Sequence, residues 1–333
     1  MIALSLVLAI LLNALLSDAA PYIAEKRAID TTLLQTFRLM SQYASAAYCS
    51  TNFNSPGTQV KCVGGNCPLV EAADSATTLE YSKFVSLQSI KIGLSTDGSQ
   101  RTETLTDVTG FVAVDHTDKL IVVSFRGSQS LDNWLTNLDF EFTDTDICNG
   151  CSAHSGFWQS WVDARDAVIP AVKAAVEQYP SYSVSITGHS LGGAIAPFAA
   201  AQLRNEGLKV ALYTFGSPRI GGSAVSSYIS NQAGGNYRVT HYNDPVPRVP
   251  LLTMGYVHVS PEYYIGTKNK VDVKASDFQV IQGSINLFKG NAAWLITDVE
   301  AHRWYFTRMY DCGDGKRRRG LEDFERLEFI ARF

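Results

Sequence analysis

The chain has 333 residues, of which 46% are hydrophobic and 18% charged, so it can bury a sizeable core, and disorder is excluded as its main state. Lys and Arg number 28 against 32 Asp and Glu, and the formal net charge of -4 offers no surplus of positive charge for a phosphate backbone. No nucleic-acid partner is therefore expected. The 25 Gly and 11 Pro follow no period, which excludes collagen-like and solenoid architectures and favours one globular domain.

The N-terminal segment predicts export from the cell. Residues 2–16 are nearly all apolar and are followed by small residues over 17–20, the pattern of a secretory signal peptide spanning residues 1–20. The positively charged N-terminal region usual in such peptides is absent, and the alternative is that these residues form a buried helix. The apolar run is shorter than the roughly 20 residues of a transmembrane helix, and no later run is long enough. We therefore expect a secreted protein without a transmembrane segment.

Basic residues predict processing at both ends of the exported chain. Residues 21–27 form a short propeptide that ends in Lys26 and Arg27, a site for furin-like or kexin-like proteases, so Ala28 is the expected mature N-terminus. Residues 316–319 are a second basic cluster, and apolar residues follow at every third position from 321 to 333, a spacing that a helix can present on one face. A solvated C-terminal helix and a cleaved propeptide both remain open for the extension over residues 313–333, beyond the main domain at 28–312.

Strands and helices alternate through the middle of the chain. Apolar spacing predicts a helix over residues 31–47, and the β-branched run Leu120–Phe125 predicts a buried strand. The same signals then predict a helix over 155–179 that is kinked or broken near Pro170, a strand over 182–187, a helix over 191–203, and strands over 210–215 and 237–241. This alternation is typical of a mostly parallel sheet covered by helices, so the predicted fold class is α/β.

The pentapeptide Gly188-His189-Ser190-Leu191-Gly192 lies between a predicted strand and a predicted helix. In this context Gly-x-Ser-x-Gly is the nucleophile elbow, whose glycines allow a tight turn that exposes a strained serine above the sheet. A plain strand-to-helix turn is the alternative, but the strand before it and the small residues after it favour the elbow. Ser190 is therefore the predicted nucleophile.

A serine attacks an ester when a histidine takes its proton and a carboxylate orients that histidine. In this architecture the chain order is Ser, then Asp or Glu, then His. Asp244 directly follows a predicted strand and is the acid candidate, although an ordinary Asp-Pro turn explains the same dipeptide. His241 precedes the acid and breaks the order. Spacing favours His302 as the base over His258, which lies in an aromatic stretch suited to a packed core histidine.

The loop after the strand Leu120–Phe125 predicts further parts of the site. The oxyanion of an ester-cleaving enzyme needs two N–H donors, and we expect them from Leu191 and from Ser128, for which a simple turn serine is the alternative. Directly after Ser128, apolar residues at i, i+3, i+4 and i+7 predict a short amphipathic helix. A surface helix facing the core and a lid over the site both fit its four residues, and its position favours the lid: Leu131, Trp134, Leu135 and Leu138.

Six cysteines in an exported chain predict disulfides rather than a metal site. Fifteen pairings are possible on counting alone. Two pairs flank short turns that allow their Cα atoms to approach within disulfide range, which leaves a third pair. The pairs are Cys62 with Cys67, Cys148 with Cys151, and Cys49 with Cys312. No second Cys-x-x-Cys and no histidine pair lies near enough to suggest zinc.

Several separated motifs occur in order along residues 33–312. They are Ser45–Cys49, Val108–Val112, Ser124–Ser128, Gly188–Gly193, Asp244–Pro247 and His302–Phe306. Together they resemble the secreted filamentous-fungal class 3 lipases, with the feruloyl esterases as relatives. Residues 251–264 and 286–291 look closest to the mono- and diacylglycerol lipase branch. The connection over 89–104 and the tail beyond Cys312 are longer than is usual in that family.

The resemblance implies an α/β-hydrolase fold and assigns the site. Ser190, Asp244 and His302 match the family triad, and Ser128 and Leu191 match its oxyanion donors. The likeness also implies that Trp134 belongs to a lid and that the three cysteine pairs given above form disulfides.

The expected protein is a monomeric serine lipase that hydrolyses mono- and diacylglycerols at a lipid–water interface, with triacylglycerols left open and no metal or organic cofactor. A feruloyl-type carboxylesterase and an inactive lipid-binding homologue are the alternatives. The apolar face of the helix after Ser128 argues against the first, and the complete, correctly ordered triad argues against the second.

Overall fold

The computed structural model of the protein describes residues 28–53, 55–73, 77–78, 108–136 and 140–312. The predicted signal peptide at 1–20, the propeptide at 21–27 and the C-terminal extension at 313–333 lie outside these residues. The same holds for Leu138 and for the connection over 89–104.

A sheet of eight strands forms the centre of the described residues. In spatial order its strands are β1 Thr77–Thr78, β2 Gly110–Asp115, β3 Leu120–Phe125, β6 Ser183–His189, β7 Val210–Phe215, β8 Asn236–His241, β9 Glu262–Ile265 and β10 Phe278–Ile281. The pairings from β3 through β6, β7 and β8 to β9 are parallel, whereas β1–β2, β2–β3 and β9–β10 are antiparallel. The predicted mostly parallel sheet is confirmed.

Two short antiparallel hairpins lie outside the main sheet. The first pairs β4 Phe142–Asp144 with β5 Ser152–His154, and the second pairs β11 Trp304–Tyr305 with β12 Thr307–Arg308. The second hairpin directly follows His302, and the chain then reaches the cysteine at 312.

The helices of the described residues flank the sheet or bridge its strands. They are α1 Thr31–Ala46, α2 Pro68–Ala72, α3 Leu131–Thr136, α4 Ser155–Gln178, α5 Leu191–Asn205, α6 Ser223–Asn231 and α7 Val299–His302. Asp30 caps the start of α1, where its carboxylate accepts the Leu33 N–H at 2.7 Å. None of these helices is long and apolar enough to cross a membrane.

The sheet separates two hydrophobic cores, because neighbouring side chains of a strand point to opposite faces. In β2, Val112 and Val114 belong to one core, and Phe111 and Ala113 belong to the other. The first core is closed by α4 and α5, and the second by α1. Strands buried on both faces explain why this region of the sequence is so continuously apolar.

Helix α4 passes through Pro170 without ending. Of the two predicted outcomes at this residue, a kink or a break, the break is therefore excluded. A proline in a helix interior removes one backbone hydrogen bond, but Trp161, Val168 and Ala171 on either side of it are buried against the core. The stabilisation gained by burying these side chains outweighs the tendency of Pro170 to end the helix.

All six cysteines are paired in the described residues. The disulfides join Cys49 to Cys312, Cys62 to Cys67, and Cys148 to Cys151. This is the pairing predicted from the turns and implied by the resemblance. The first of the three closes the longest loop and fixes the end of α1 to the end of the described chain.

Candidate active site

Ser190 stands at the junction between β6 and α5. Its backbone has φ 59° and ψ -125°, a left-handed conformation that strains a residue with a side chain. The turn is possible because glycines occupy both neighbouring contact points: a Cβ on Gly188 would overlap the Gly192 carbonyl, and one on Gly192 would overlap the backbone oxygen of Phe125. The local sequence thus places Ser190 at the carboxyl end of a central strand, in the geometry of a nucleophile elbow.

Asp244 and His302 form a buried pair at the same edge of the sheet. Nδ1 of His302 donates to Oδ2 of Asp244 at 2.8 Å, with Oδ1 at 3.0 Å. Oδ1 also accepts the N–H of Val246 at 2.8 Å, and Oδ2 accepts the hydroxyl of Tyr305 at 2.6 Å. Burial, and then the charge of Asp244, raise the pKa of Tyr305 well above its ordinary value, so this phenol remains a donor.

The two atoms predicted to react have no hydrogen-bond partner among the described residues. Both Ser190 Oγ and His302 Nε2 are buried and unpaired. Because Nδ1 of His302 donates to the carboxylate, a neutral ring leaves Nε2 as a proton acceptor. The pair can therefore accept the proton of Ser190 when the serine attacks, which is the chemistry of general-base catalysis.

Gly216 fixes the space behind the Asp244–His302 pair. Its φ of +58° favours glycine, and a Cβ at this position would lie 2.8 Å from His302 Nδ1 and 2.9 Å from Asp244 Oδ2. Only a residue without a side chain allows the histidine and the aspartate to approach the end of β7 in this way.

The other two candidate histidines are buried and bonded elsewhere. His258 Nε2 donates to the Pro247 carbonyl at 2.7 Å, and burial, followed by the charges of Arg238 and Arg219, lowers the pKa of His258 well below its ordinary value. His241 lies 2.9 Å from the Ala301 carbonyl through Nδ1, and burial lowers its pKa as well. The structure brings His302, and neither of these, to Asp244.

The loop predicted to carry the second oxyanion donor passes directly over Ser190. A Cβ on Gly127 would lie 3.0 Å from the Cβ of Ser190 and 2.7 Å from the carbonyl oxygen of His189. Ser128 follows at once and is half-buried, and Leu191 is the first residue of α5 on the other side of the serine. Backbone N–H groups in the first turn of a helix lack partners inside the helix, which leaves the Leu191 N–H for an oxyanion.

The predicted lid is a short helix, α3, with its apolar side turned inward. Leu131 and Trp134 are buried and Leu135 is half-buried against the same core. The Trp134 ring stacks with Phe157 at a centroid distance of 6.2 Å. Its indole N–H is buried and unpaired among the described residues.

A buried relay that the sequence motifs alone do not predict connects three parts of the site. His189 Nε2 lies 2.8 Å from the carbonyl oxygen of His302, which can only accept, so this nitrogen carries the proton. Burial lowers the pKa of His189 well below its ordinary value, so its ring is neutral and Nδ1 accepts from the hydroxyl of Tyr48 at 2.8 Å. The same hydroxyl accepts the N–H of Gly127.

Three cysteine sulfurs provide the one set of metal-type ligands that clusters among the described residues. The Sγ atoms of Cys49, Cys62 and Cys312 lie within 4.8 Å of one another. All three are consumed in disulfides, so they hold no thiolate for a metal.

Comparisons with known proteins place the chain in a family. The family model for class 3 lipases matches residues 122–254, and the model for the lipase 3 N-terminal region matches residues 6–80. The secreted mono- and diacylglycerol lipase A of Penicillium camembertii is 42% identical over 305 residues, which are 90% of this chain and 93% of that protein. The secreted mono- and diacylglycerol lipase 1 of Fusarium solani is 40% identical, over 87% of this chain and 81% of that protein.

Solved structures agree with the sequence comparison. The mono- and diacylglycerol lipase from Aspergillus oryzae superposes with a TM-score of 0.74 at 41% identity. The superposition covers 85% of this chain and 100% of that one. The Rhizomucor miehei lipase in its propeptide complex gives a TM-score of 0.69 at 27% identity, covering 86% of this chain and 85% of that one.

The sheet, the elbow and the neighbouring buried Asp–His pair define an α/β-hydrolase of the carboxylic ester hydrolase class. Within that class, the chain belongs to the class 3 lipase family. The resemblance drawn from its motifs is confirmed.

Proposed function

We propose that the protein is a secreted lipase that hydrolyses mono- and diacylglycerols at a lipid–water interface. Ser190 is the nucleophile, His302 the general base and Asp244 the residue that orients it. The observation that carries this proposal is the strained Ser190, whose buried Oγ is unpaired, beside a His302 whose Nδ1 is held by Asp244 and whose Nε2 is unpaired. The names of the relatives from Penicillium camembertii and Fusarium solani support the substrate class and secretion.

The reaction follows from this arrangement in two half-reactions. Nε2 of His302 takes the hydroxyl proton as Oγ of Ser190 attacks the ester carbonyl, and the N–H groups of Ser128 and Leu191 hold the oxyanion. His302 then gives that proton to the departing glycerol oxygen, which leaves an acyl-enzyme. Water repeats the sequence on the acyl-enzyme and releases the fatty acid. Asp244 accepts the hydrogen bond of the His302 Nδ1–H, which orients the ring, and its negative charge stabilises the imidazolium in both half-reactions.

We propose that α3 is a lid. Its inward apolar face lies directly after the oxyanion loop, and turning that face outward would expose it to lipid while uncovering the site. Trp134→Ala should therefore reduce hydrolysis of emulsified lipid more than hydrolysis of a soluble short-chain ester. Equal losses of activity on the two substrates would mean that α3 does not act as a lid.

Exposed apolar residues near the triad support contact with a lipid surface. Leu295 is 97% exposed and Ile296 is 80% exposed. They lie close to the acid of the triad, because the Ile296 carbonyl accepts the side-chain amide of Asn243 at 3.2 Å and Asn243 precedes Asp244. Large, fully exposed apolar side chains beside a lipase site favour binding to an apolar surface.

The activity is tested by fatty-acid release from matched mono-, di- and triolein emulsions. We expect turnover of the two partial glycerides by the mature protein and none by Ser190→Ala. Ser226→Ala is the matched control, because that serine is equally buried but bonds the Val257 carbonyl away from the site, and it should retain activity. Strong triolein turnover would make the protein a general lipase. The absence of activity above Ser190→Ala on all three would favour a feruloyl-type esterase or an inactive homologue.

We also propose that maturation removes residues 1–20, 21–27 and the extension after the 316–319 basic cluster. The dibasic pair at 26–27, the basic cluster and the three disulfides support this route through the secretory pathway. Intact mass of the protein from culture medium tests it. A mature chain from Ala28 to the basic cluster is expected, and a mass that includes Phe333 would refute removal of the tail.

A further inference from the structure

A second tyrosine hydroxyl lies beside the nucleophile. The Tyr310 ring packs 4.8 Å from the Tyr48 ring and 5.5 Å from the His189 ring, measured between centroids. Its hydroxyl lies close to the hydroxyls of Tyr48 and Ser190. Burial raises the pKa of Tyr310 above its ordinary value, so the group is a protonated hydroxyl able both to donate and to accept.

This hydroxyl has no assigned use within the protein. Its oxygen is buried, and it makes no hydrogen bond of good geometry to any described residue. Ser190 Oγ and His302 Nε2 share that property, and both are left open for the substrate. The nearby Tyr48 hydroxyl differs, because it is already bonded to His189 and Gly127. Tyr310 is thus the uncommitted hydroxyl next to the reacting serine.

The fold holds Tyr310 firmly in this position. Two residues later, Cys312 is bonded to Cys49, the neighbour of Tyr48, so the two tyrosines are joined through a short covalent path. Met309 on the other side is fully buried, and its N–H donates to the Arg303 carbonyl at 3.0 Å. A hydroxyl fixed in this way is preorganised for a partner that arrives with the substrate.

We propose that Tyr310 is a specificity-determining residue whose hydroxyl hydrogen-bonds the free hydroxyl of a partial glyceride while Ser190 attacks the ester. The inference rests on the proposed function and adds to it the group that recognises the substrate. Mono- and diacylglycerols carry a free glycerol hydroxyl within one or two carbons of the ester, whereas triacylglycerols and simple alkyl esters carry none. A site with a buried hydroxyl that only the correct substrate can satisfy discriminates against an analogue that leaves it unpaired.

The test compares two soluble esters that differ in the glycerol hydroxyls. Wild-type and Tyr310→Phe proteins are assayed for kcat/KM on glycerol monobutyrate and on propyl butyrate, both below saturation. The variant keeps the ring and loses only the hydroxyl. We expect kcat/KM on the glycerol ester to fall about 10-fold or more, and kcat/KM on propyl butyrate to stay within about 2-fold.

Two controls separate substrate recognition from damage to the site. Tyr237→Phe, in a tyrosine of the same core that stacks on Tyr213, should change neither activity. The rate at which an alkyl phosphonate without glycerol hydroxyls blocks Ser190 should be the same in wild type and Tyr310→Phe, which also shows that the variant is folded.

An equal loss on both esters would overturn the inference, because Tyr310 would then act on Ser190 rather than on the substrate. Unchanged activity on both esters would overturn it as well. If the wild-type protein hydrolyses neither ester, the proposed function itself fails, and this outcome is distinct from the other two.

Discussion

The hydroxyl of Tyr48 donates to Nδ1 of His189 at 2.8 Å, across 141 residues of sequence. Through this bond the end of α1 is joined to the residue before Ser190, and through Nε2 of His189 it is joined to the backbone of His302. The hydroxyl also accepts the N–H of Gly127, which precedes the expected oxyanion donor Ser128. One phenol therefore sets the relative positions of the three segments that must meet at the ester carbon.

Tyr48→Phe removes this link while keeping the ring. Nδ1 of His189 then loses its donor inside the protein, which for a buried group costs about 1–3 kcal/mol. We expect kcat on a soluble ester to fall about 10-fold, with KM within about 2-fold, because the segments are mispositioned for the reaction rather than for binding. Steady-state kinetics on a short-chain ester measure both quantities.

Tyr43→Phe is the matched control for this substitution. Tyr43 is a buried tyrosine in the last turn of α1, and its hydroxyl donates to Asp115 at 2.8 Å. It should lose stability of a similar size and leave kcat unchanged. A parallel fall of kcat in both variants would mean that Tyr48 acts only through stability.

Gly216→Ala tests the close approach of the Asp–His pair to the end of β7. A methyl group at this position would lie 2.8 Å from His302 Nδ1 and 2.9 Å from Asp244 Oδ2, so the pair must move apart. If His302 is the general base as proposed, its displacement by about 1 Å is expected to lower kcat about 100-fold.

Gly207→Ala provides the backbone control. Gly207 has φ +88°, and a Cβ there meets no atom within 4 Å. Both variants carry the left-handed strain of about 1–2 kcal/mol, measured as a loss in the free energy of unfolding. Only Gly216→Ala should lose activity, and comparable activity in the two variants would contradict the contact described here.

The local parts of this structure were predictable from the sequence, and the parts that depend on packing were not. Ser190 is set by neighbours within two residues of it, and strands such as β3 and β7 are set by their own β-branched composition. Of the kink or break predicted near Pro170, the break does not occur, because burial of the surrounding helix outweighs the helix-breaking tendency of one residue. Propensity describes a segment alone, whereas α4 is stabilised mainly by the core it covers.

The supporting tyrosines of the site could not be assigned from spacing. Tyr48 lies in the Ser45–Cys49 motif that contributed to the family resemblance, and His189 lies inside the elbow, but nothing local indicates that they bond. Tyr305 and Tyr310 follow His302 closely, yet one reaches Asp244 and the other lies near Ser190 only because the β11–β12 hairpin and the Cys49–Cys312 disulfide direct the chain. The motifs mark these segments as important and leave the roles of the side chains undetermined.

His258 predicts a pH dependence of stability. Burial, and then Arg238 and Arg219, lower the pKa of this histidine well below its ordinary value in the folded protein. The unfolded chain therefore binds a proton below about pH 6.5 that the folded protein does not bind, and the free energy of unfolding falls as the pH decreases. Each such group contributes up to about 1.4 kcal/mol per pH unit in this range.

His258→Gln should remove the contribution of one proton from the pH dependence of the free energy of unfolding. Glutamine can still donate to the Pro247 carbonyl but cannot titrate. Urea unfolding at pH 5, 6 and 7 measures the slope, and at pH 8 the two proteins should depend on pH in the same way. An unchanged slope between pH 5 and 6 would mean that His258 is protonated in the folded protein.

Leu295 and Ile296 are expected to help hold the enzyme on lipid. Their side chains are 97% and 80% exposed. The Ile296 carbonyl and the Asp298 N–H are both bonded to Asn243, so the pair lies beside Asp244, the proposed acid of the triad. Replacing both by serine should weaken adsorption to diacylglycerol emulsions about 10-fold or more, since each large apolar side chain contributes about 1.5–3 kcal/mol when it is fully removed from water. Centrifugation of the emulsion followed by assay of the free enzyme measures this loss.

The same double substitution should leave hydrolysis of a soluble short-chain ester within about 2-fold, because neither side chain contacts the reacting groups. Val63→Ser with Leu69→Ser removes two other exposed apolar side chains, 70% and 41% exposed, that lie near the Cys62–Cys67 turn. If this second pair weakens adsorption as strongly as the first, apolar exposure anywhere on the surface is sufficient. A loss confined to the pair beside Asn243 would mean that the enzyme binds lipid with its active-site edge, so that adsorption itself brings Ser190 to the ester.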